Sequence, residues 1–128
     1  MTVGIVLVSH SPILAQGLAE LLAQIGSEDV PLAVAGGASD GRLGTSVDLV
    51  EEAIVRADLG DGVVIIPDLG SAVLTVRTVL EGGNDHGAVL VDAPFVEGAV
   101  AAAVTAASGG TRDEVAEAAR QARDVAKF

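Results

Sequence analysis

The sequence predicts an α/β domain with an open, mainly parallel, four-stranded sheet and helices on both faces. Short apolar runs rich in Val and Ile alternate with longer stretches of helical periodicity along the 128 residues. Such alternation is typical of right-handed βαβ units, whose parallel strands are covered on both sides. Half of the residues are hydrophobic but only 2% are aromatic, so the core must consist of Val, Leu, Ile and Ala. The strand order expected for this doubly wound arrangement is 2-1-3-4.

Four strands and five helices are predicted in alternation, the last two helices being consecutive. Each strand is a short apolar run bounded by glycine, proline or polar residues. The strands cover residues 3–8, 30–35, 62–67 and 88–92. Each helix is assigned from apolar residues at helical spacing or from a high alanine content. The helices cover residues 12–25, 45–58, 72–81, 94–107 and 111–127.

Helix starts and turns separate these elements in order. Pro12 is favoured at the first position of a helix, which makes Ser11 the predicted N-cap of the first helix. Thr45-Ser46 opens the second helix after a glycine-rich loop, and the polar stretch 68–71 ends the third strand. Residues 111–114 read Thr-Arg-Asp-Glu, which is typical of a capping box at the start of the last helix.

Composition excludes several classes of function. The chain is expected to form a single domain over residues 1–128, without linker or internal repeat. It has no cysteine, so it can form neither a disulfide framework nor a thiolate metal site. Its net charge of -11 argues against binding to nucleic acid or anionic membranes. No stretch resembles a signal peptide or a membrane span, and a cytoplasmic location is expected.

His10 is the most informative candidate residue. It follows directly on the first predicted strand, where open α/β sheets place their chemistry. It also stands before a predicted helix start, so the positive end of the helix dipole and free N–H groups lie nearby. A site of this kind suits an imidazole that carries an anion, phosphate in particular. Taken alone, a histidine between serines is more often an ordinary turn residue.

Asp68 is predicted to meet His10. The two residues end the third and first strands, which are neighbours at the switch point of the predicted sheet. A carboxylate bonded to one imidazole nitrogen would fix the tautomer and leave the other nitrogen as a nucleophile. Gly70 and Ser71 would bring N–H groups and a hydroxyl near the transferred phosphoryl group. The competing interpretation is that Asp68 only caps the following helix.

Other polar features give weaker signals. The loop Gly36–Gly44 lacks the spacing of a nucleotide-binding loop and is interpreted as a mobile rim, with Arg42 either pairing with phosphate or solvated. His86 precedes the fourth strand and is expected at the surface, at the opposite end of the sheet. Asp92 ends that strand, but no ligand spacing links it to His10 and Asp68, so no metal site is predicted.

Four short motifs, in order and with matching spacing, carry a resemblance that covers essentially the whole chain. They are Val-Ser-His-Ser at 8–11, Gly-Thr-Ser at 44–46, Asp-Leu-Gly-Ser-Ala at 68–72 and Ala-Pro-Phe-Val-Glu-Gly at 93–98. The sequence resembles the phosphotransferase subunit of the phosphoenolpyruvate-dependent (PTS-type) dihydroxyacetone kinase. The corresponding domain of that family is similar to the mannose-type enzyme IIA (EIIA) domain of the sugar phosphotransferase system. The mannose-type branch typically has Trp-Gly-Gly-Ser-Pro near the aspartate, so Leu-Gly-Ser-Ala favours the dihydroxyacetone branch.

The resemblance implies a phosphohistidine relay, and thus a phosphoenolpyruvate–glycerone phosphotransferase component. His10 would accept phosphate from the histidine-containing phosphocarrier protein and pass it to ADP on the nucleotide-binding subunit of the kinase. Asp68 would assist catalysis, and four residues would support the phosphate: Ser9, Ser11, Gly70 and Ser71. No cofactor is expected beyond the phosphoryl group carried on His10, and a homodimer is expected.

Three alternatives stay open at this stage. The chain could serve a sugar transporter as a mannose-type enzyme IIA component, which would need a membrane permease as partner. It could be a non-catalytic, flavodoxin-like regulatory or ligand module. A receiver phosphorylated on Asp68 fits poorly, because the first strand ends in Ser9-His10 rather than an acidic pair and the only lysine is Lys127. Some family members continue into further domains, so a chain ending at Phe128 would need those partners as separate proteins.

Overall fold

A computed structural model describes residues 2–25, 28–83 and 87–128. It contains one four-stranded sheet in the order β2-β1-β3-β4, with all three strand pairs parallel. The strands are β1 (Gly4–Ser9), β2 (Leu32–Gly36), β3 (Val63–Pro67) and β4 (Ala88–Leu90). The helices are α1 (Pro12–Ile25), α2 (Val47–Ala57), α3 (Gly70–Glu81), α4 (Phe95–Ala107) and α5 (Arg112–Gln121). The predicted fold class and strand order are confirmed.

Two apolar layers sandwich the sheet, because alternate residues of each strand point to opposite faces. Ile5 and Leu7 of β1 pack with residues of α1, α4 and α5 on one face. Val6 and Val8 pack with residues of α2 and α3 on the other. Both central strands, β1 and β3, are buried along their whole length. This explains why they read as continuous apolar runs rather than as alternating patterns.

Several element boundaries differ from the predicted ones. Helix α3 starts at Gly70 instead of residue 72, because a glycine and a serine are tolerated in the first turn of a helix, where no side chain has to pack. Strand β4 ends at Leu90 instead of residue 92, although Val91 still donates a main-chain hydrogen bond to Ile65. Helix α5 ends at Gln121 and a short 3-10 turn follows, since the polar segment beyond it buries no apolar side chain.

The predicted caps are confirmed. The Ser11 hydroxyl accepts a hydrogen bond from the N–H of Leu14 at 3.2 Å, and so caps α1. Thr111 and Glu114 form a reciprocal capping box at the start of α5. Among the described residues, no helix is long and apolar enough to cross a membrane.

Candidate functional site

The main chain of His10 is held from both sides at the carboxyl end of β1. Its N–H donates to a carboxylate oxygen of Asp68 at 3.1 Å. Its carbonyl accepts a hydrogen bond from the N–H of Gly44 at 2.9 Å. The first contact comes from the end of β3 and the second from the loop after β2, so both neighbours of β1 fix the turn that carries the histidine. The side chain itself remains partly accessible.

Ser71 is the hydrogen-bond partner of the imidazole. Its Oγ lies 2.7 Å from Nδ1 of His10 and 3.3 Å from Nε2. Ser71 occupies the first turn of α3 and is exposed. Oγ thus lies within hydrogen-bond distance of both ring nitrogens and is closer to Nδ1.

The prediction that Asp68 contacts the imidazole is wrong, although the two residues do meet as expected. One carboxylate oxygen accepts hydrogen bonds from the Ser9 hydroxyl at 2.8 Å and from the main chain of His10 at 3.1 Å. The other oxygen accepts from the N–H of Leu69 at 2.6 Å. Val8 pairs with Pro67 in the sheet, so Asp68 lies beside the β1–α1 turn, where main-chain donors satisfy the carboxylate. The contacts of Asp68 therefore hold the turn, and its catalytic role stays a prediction.

Ser9 also has a positioning role. Its side chain is fully buried, donates its single hydrogen to Asp68 and accepts the N–H of Ser11 at 3.0 Å. A hydroxyl has only one hydrogen to donate. The direct support of phosphate predicted for Ser9 therefore does not fit this structure.

Two helix starts border the imidazole. Ser11 precedes α1 and is partly accessible, and its hydroxyl hydrogen is not needed for the cap because the oxygen accepts there. Gly70 is the first residue of α3, whose first main-chain bond runs from Val73 to Leu69. The N–H groups before Val73 thus lie outside the helical ladder, and N–H groups of this kind bind anions in many proteins. The support of phosphate that the sequence predicts for Gly70, Ser71 and Ser11 stays a prediction.

The segments that adjoin the histidine carry exposed apolar side chains, which we call the apolar rim. We define it by four residues from three segments next to His10: Ile13, Leu43, Leu69 and Leu74. Their exposed fractions are 85%, 74%, 60% and 65%. Clustered apolar side chains of this kind on a surface commonly mark contacts with other proteins. No periodic pattern in the sequence indicates the rim, because its members lie on loops and on the outer faces of first helical turns.

The remaining sequence candidates either pair with residues other than His10 or lie outside the described residues. Arg42 is largely exposed and pairs with Asp40 at 3.1 Å, which favours the solvated interpretation. Asp92 pairs with Arg123 at 3.1 Å. The prediction for His86 falls outside the described residues. Within residues 2–25, 28–83 and 87–128, no group of three His, Asp or Glu side chains could hold a metal ion.

The glycine-rich loop is more closely tied to the site than predicted. Gly37 donates to the carbonyl of Ser9 at 3.0 Å, and Gly44 donates to that of His10. A Cβ on Gly37, whose φ is +76°, would lie 2.6 Å from Pro12, so the close approach of loop and helix requires glycine. The loop is thus a structural support of the histidine turn, and not a free rim.

Residues 4–116 match the family model described as the PTS system fructose IIA component, EIIA-man. The chain belongs to this EIIA-man family. A DhaM protein of Lactococcus lactis, named a phosphotransferase subunit of PTS-dependent dihydroxyacetone kinase, is 36% identical over 91% of this chain and 93% of its own length. A phosphoryl donor subunit DhaM of Listeria innocua is 37% identical over 80% of this chain and 84% of its own.

Other EIIA-man relatives are longer. The DhaM of Escherichia coli is 40% identical over 88% of this chain, but the match spans only 25% of that protein. Among solved structures, that of EF1359, a protein of unknown function, matches with a TM-score of 0.85 and 35% identity. It is covered to 95% by this chain, which confirms the fold class independently of the relatives' names.

Proposed function

We propose that this chain is the phosphoryl donor subunit of a phosphoenolpyruvate-dependent dihydroxyacetone kinase and that His10 carries the phosphoryl group. The observation that supports the proposal is the geometry of His10, which has a fixed main chain, a partly accessible ring and the Ser71 hydroxyl within 3.3 Å of both ring nitrogens. The names of the relatives from Listeria innocua and Lactococcus lactis supply the kinase and its substrate.

In the proposed reaction, Nε2 of His10 attacks the phosphorus of a phosphohistidine on the phosphocarrier protein. The new N–P bond forms at Nε2 while the N–P bond of the donor breaks, and the donor imidazole leaves with the electron pair. In this scheme Nδ1, the nitrogen nearer to Ser71 Oγ, donates its hydrogen to that oxygen, so that the lone pair stays on Nε2. The Ser71 hydroxyl hydrogen and the N–H groups at the start of α3 then face the phosphoryl oxygens.

The second transfer is also a nucleophilic attack on phosphorus. An oxygen of the terminal phosphate of ADP, bound on the nucleotide-binding subunit, attacks the phosphorus, and the bond to Nε2 breaks. ATP forms and the imidazole returns to its starting state. Both partners must reach the same nitrogen, which agrees with a partly accessible ring and with the exposed apolar rim on the adjoining segments.

The test is to incubate the chain with phosphoenolpyruvate, enzyme I and the phosphocarrier protein, followed by mass spectrometry of the intact chain. We expect one phosphoryl group, labile in acid and stable in alkali, as in a phosphoramidate. His10→Ala should abolish it, whereas His86→Ala, which changes the other histidine, should leave it. Labelling that survives His10→Ala would refute the relay. A homodimer and a cytoplasmic location remain predictions, the first to be checked by light scattering.

A second candidate is a carrier for a sugar transporter, favoured by the description of the family model. The two candidate functions differ in the molecule that accepts the phosphoryl group from His10. The phosphorylated chain is mixed either with the nucleotide-binding kinase subunit and ADP or with a mannose-type IIB component. We expect loss of the label and formation of ATP only in the first mixture.

A further inference from the structure

The contact between Thr45 and Thr75 has no place in the reaction described above, yet it joins two parts of the site. The two hydroxyl oxygens lie 2.6 Å apart, and the contact is partly buried. Thr45 follows the glycine-rich loop, whereas Thr75 lies on α3, one turn after Ser71. It is a tertiary contact between side chains 30 positions apart in sequence.

The direction of this hydrogen bond can be assigned. The Thr75 hydroxyl also donates to the carbonyl of Ser71 at 3.1 Å. Because a hydroxyl has only one hydrogen, Thr75 must accept from Thr45. The chain of donors therefore runs from Thr45 to Thr75 to the main chain of Ser71, whose hydroxyl contacts the imidazole.

Gly44, the residue before Thr45, binds the other partner of the contact between Ser71 and His10. Gly44 donates its N–H to the carbonyl of His10. Two consecutive residues thus bind the two partners of the His10–Ser71 pair, one through the histidine turn and one through α3. Gly44 has a φ of +136°, a conformation that favours glycine, so this short link has a defined shape.

We propose that Thr45 is a positioning residue that holds Ser71 against the imidazole of His10 through its hydrogen bond to Thr75. The role deepens the proposed phosphoryl relay and rests on it. Without the Thr45 hydroxyl, the first turn of α3 loses one of its ties to the histidine turn, and the contacts of Asp68 hold only the residue before the N-cap. The Ser71–Nδ1 contact then lengthens or breaks for part of the time, and Nε2 loses the tautomer needed for attack.

The chain offers matched variants for the test. Thr45→Val removes the hydroxyl at nearly constant volume, and Thr45→Ser retains it. Thr75→Val has a control in Thr78→Val, because Thr78 makes the same bond to the carbonyl four residues earlier, at 3.0 Å to Leu74, without a tertiary partner among the described residues. A purely local effect on helix α3 would be the same in both.

Two measurements are made on each variant: the rate of His10 phosphorylation by the phosphocarrier protein and the ¹⁵N chemical shifts of the imidazole in the unphosphorylated chain. We expect Thr45→Val and Thr75→Val to lower the rate about tenfold, as befits the loss of one hydrogen bond, and to shift the imidazole signals. Thr45→Ser and Thr78→Val should stay within about twofold of the wild type, with unchanged signals.

Wild-type rates and wild-type imidazole shifts in Thr45→Val would overturn the proposal. If Thr45→Val does not fold, the pair Thr75→Val and Thr78→Val decides, and equal imidazole shifts in the two would count against it. The imidazole shifts do not depend on transfer. A wild-type chain that is never phosphorylated would refute the proposed function and still leave this test of Thr45 decisive.

Discussion

Replacement of Asp68 by asparagine separates two roles that its carboxylate could have. In the structure the carboxylate accepts hydrogen bonds from Ser9, His10 and Leu69, all outside the imidazole ring. The amide of the Asp68→Asn variant has only one acceptor oxygen, so its amino group must face either Leu69 or the pair formed by Ser9 and His10. Since the contact with Leu69 is exposed, water can replace that acceptor, and we expect the amino group on that side.

The expected loss of stability in Asp68→Asn follows from the two hydrogen bonds that it retains, those from Ser9 and His10. Hydrogen bonds to a charged group are worth roughly twice those to a neutral one, so each falls by about 1 kcal/mol. Asp68→Asn should thus lower the free energy of unfolding by about 2 kcal/mol. Asp68→Ala leaves the buried Ser9 hydroxyl and the His10 N–H without this acceptor, which should cost about 3–4 kcal/mol. The free energy of unfolding of a domain of this size is about 5–15 kcal/mol, so both variants should fold.

The assay is urea unfolding followed by circular dichroism, because the chain contains neither tryptophan nor tyrosine. The phosphorylation rate of His10 is measured in parallel. We expect Asp68→Asn to slow transfer by less than about tenfold, because the partner of the imidazole is Ser71. A loss of about a hundredfold with an unchanged free energy of unfolding would refute the reasoning and return Asp68 to the role of orienting the ring.

Three further predictions concern other residues. Ser71→Ala should slow phosphorylation of His10 by about 10- to 100-fold and change the free energy of unfolding by less than about 0.5 kcal/mol, measured on the same two assays, since the side chain is exposed. Leu43→Asp should raise the KM for the phosphocarrier protein about tenfold with an unchanged melting temperature, because the rim is expected to contact partners. Hydrogen bonds from Thr111 lower the pKa of Glu114. The wild type should therefore be more stable than Glu114→Gln above the ordinary carboxyl pKa, and this difference should disappear as the pH falls. Urea unfolding curves measured across that pH range check the sign.

Much of the fold could be predicted from the sequence because its signals are local. The apolar runs that became β1 and β3 are buried on both faces, and the caps at Ser11 and Thr111 depend only on residues three positions away. The start of α3 was misplaced because Gly70 and Ser71 have turn propensity. That preference is weak in a first turn, where main-chain groups are unpaired in any case.

The site was predictable in position but not in its contacts. Strand order alone brings Asp68 next to Ser9 and His10. Which atom of His10 the carboxylate reaches depends on the path of the β1–α1 turn, and this path is set by Gly37 and Gly44 from a distant loop. The sequence analysis favoured the imidazole as the partner of the carboxylate over main-chain N–H groups, although these are the more abundant donors at the end of a strand.

The two-sided attachment of the His10 main chain has a consequence for the timing of the relay. Asp68 and Gly44 hold the peptide groups on either side, whereas the ring has a hydroxyl of an exposed residue as its partner. Breaking that one hydrogen bond is therefore enough to let the ring turn about its side-chain bonds, while the peptide stays in place. Proteins that arrive from different directions can be served in succession with no rearrangement of the fold. In the proposed relay, the lifetime of the Ser71–His10 contact, and not a movement of the main chain, then sets how soon the ring can turn from one partner to the other.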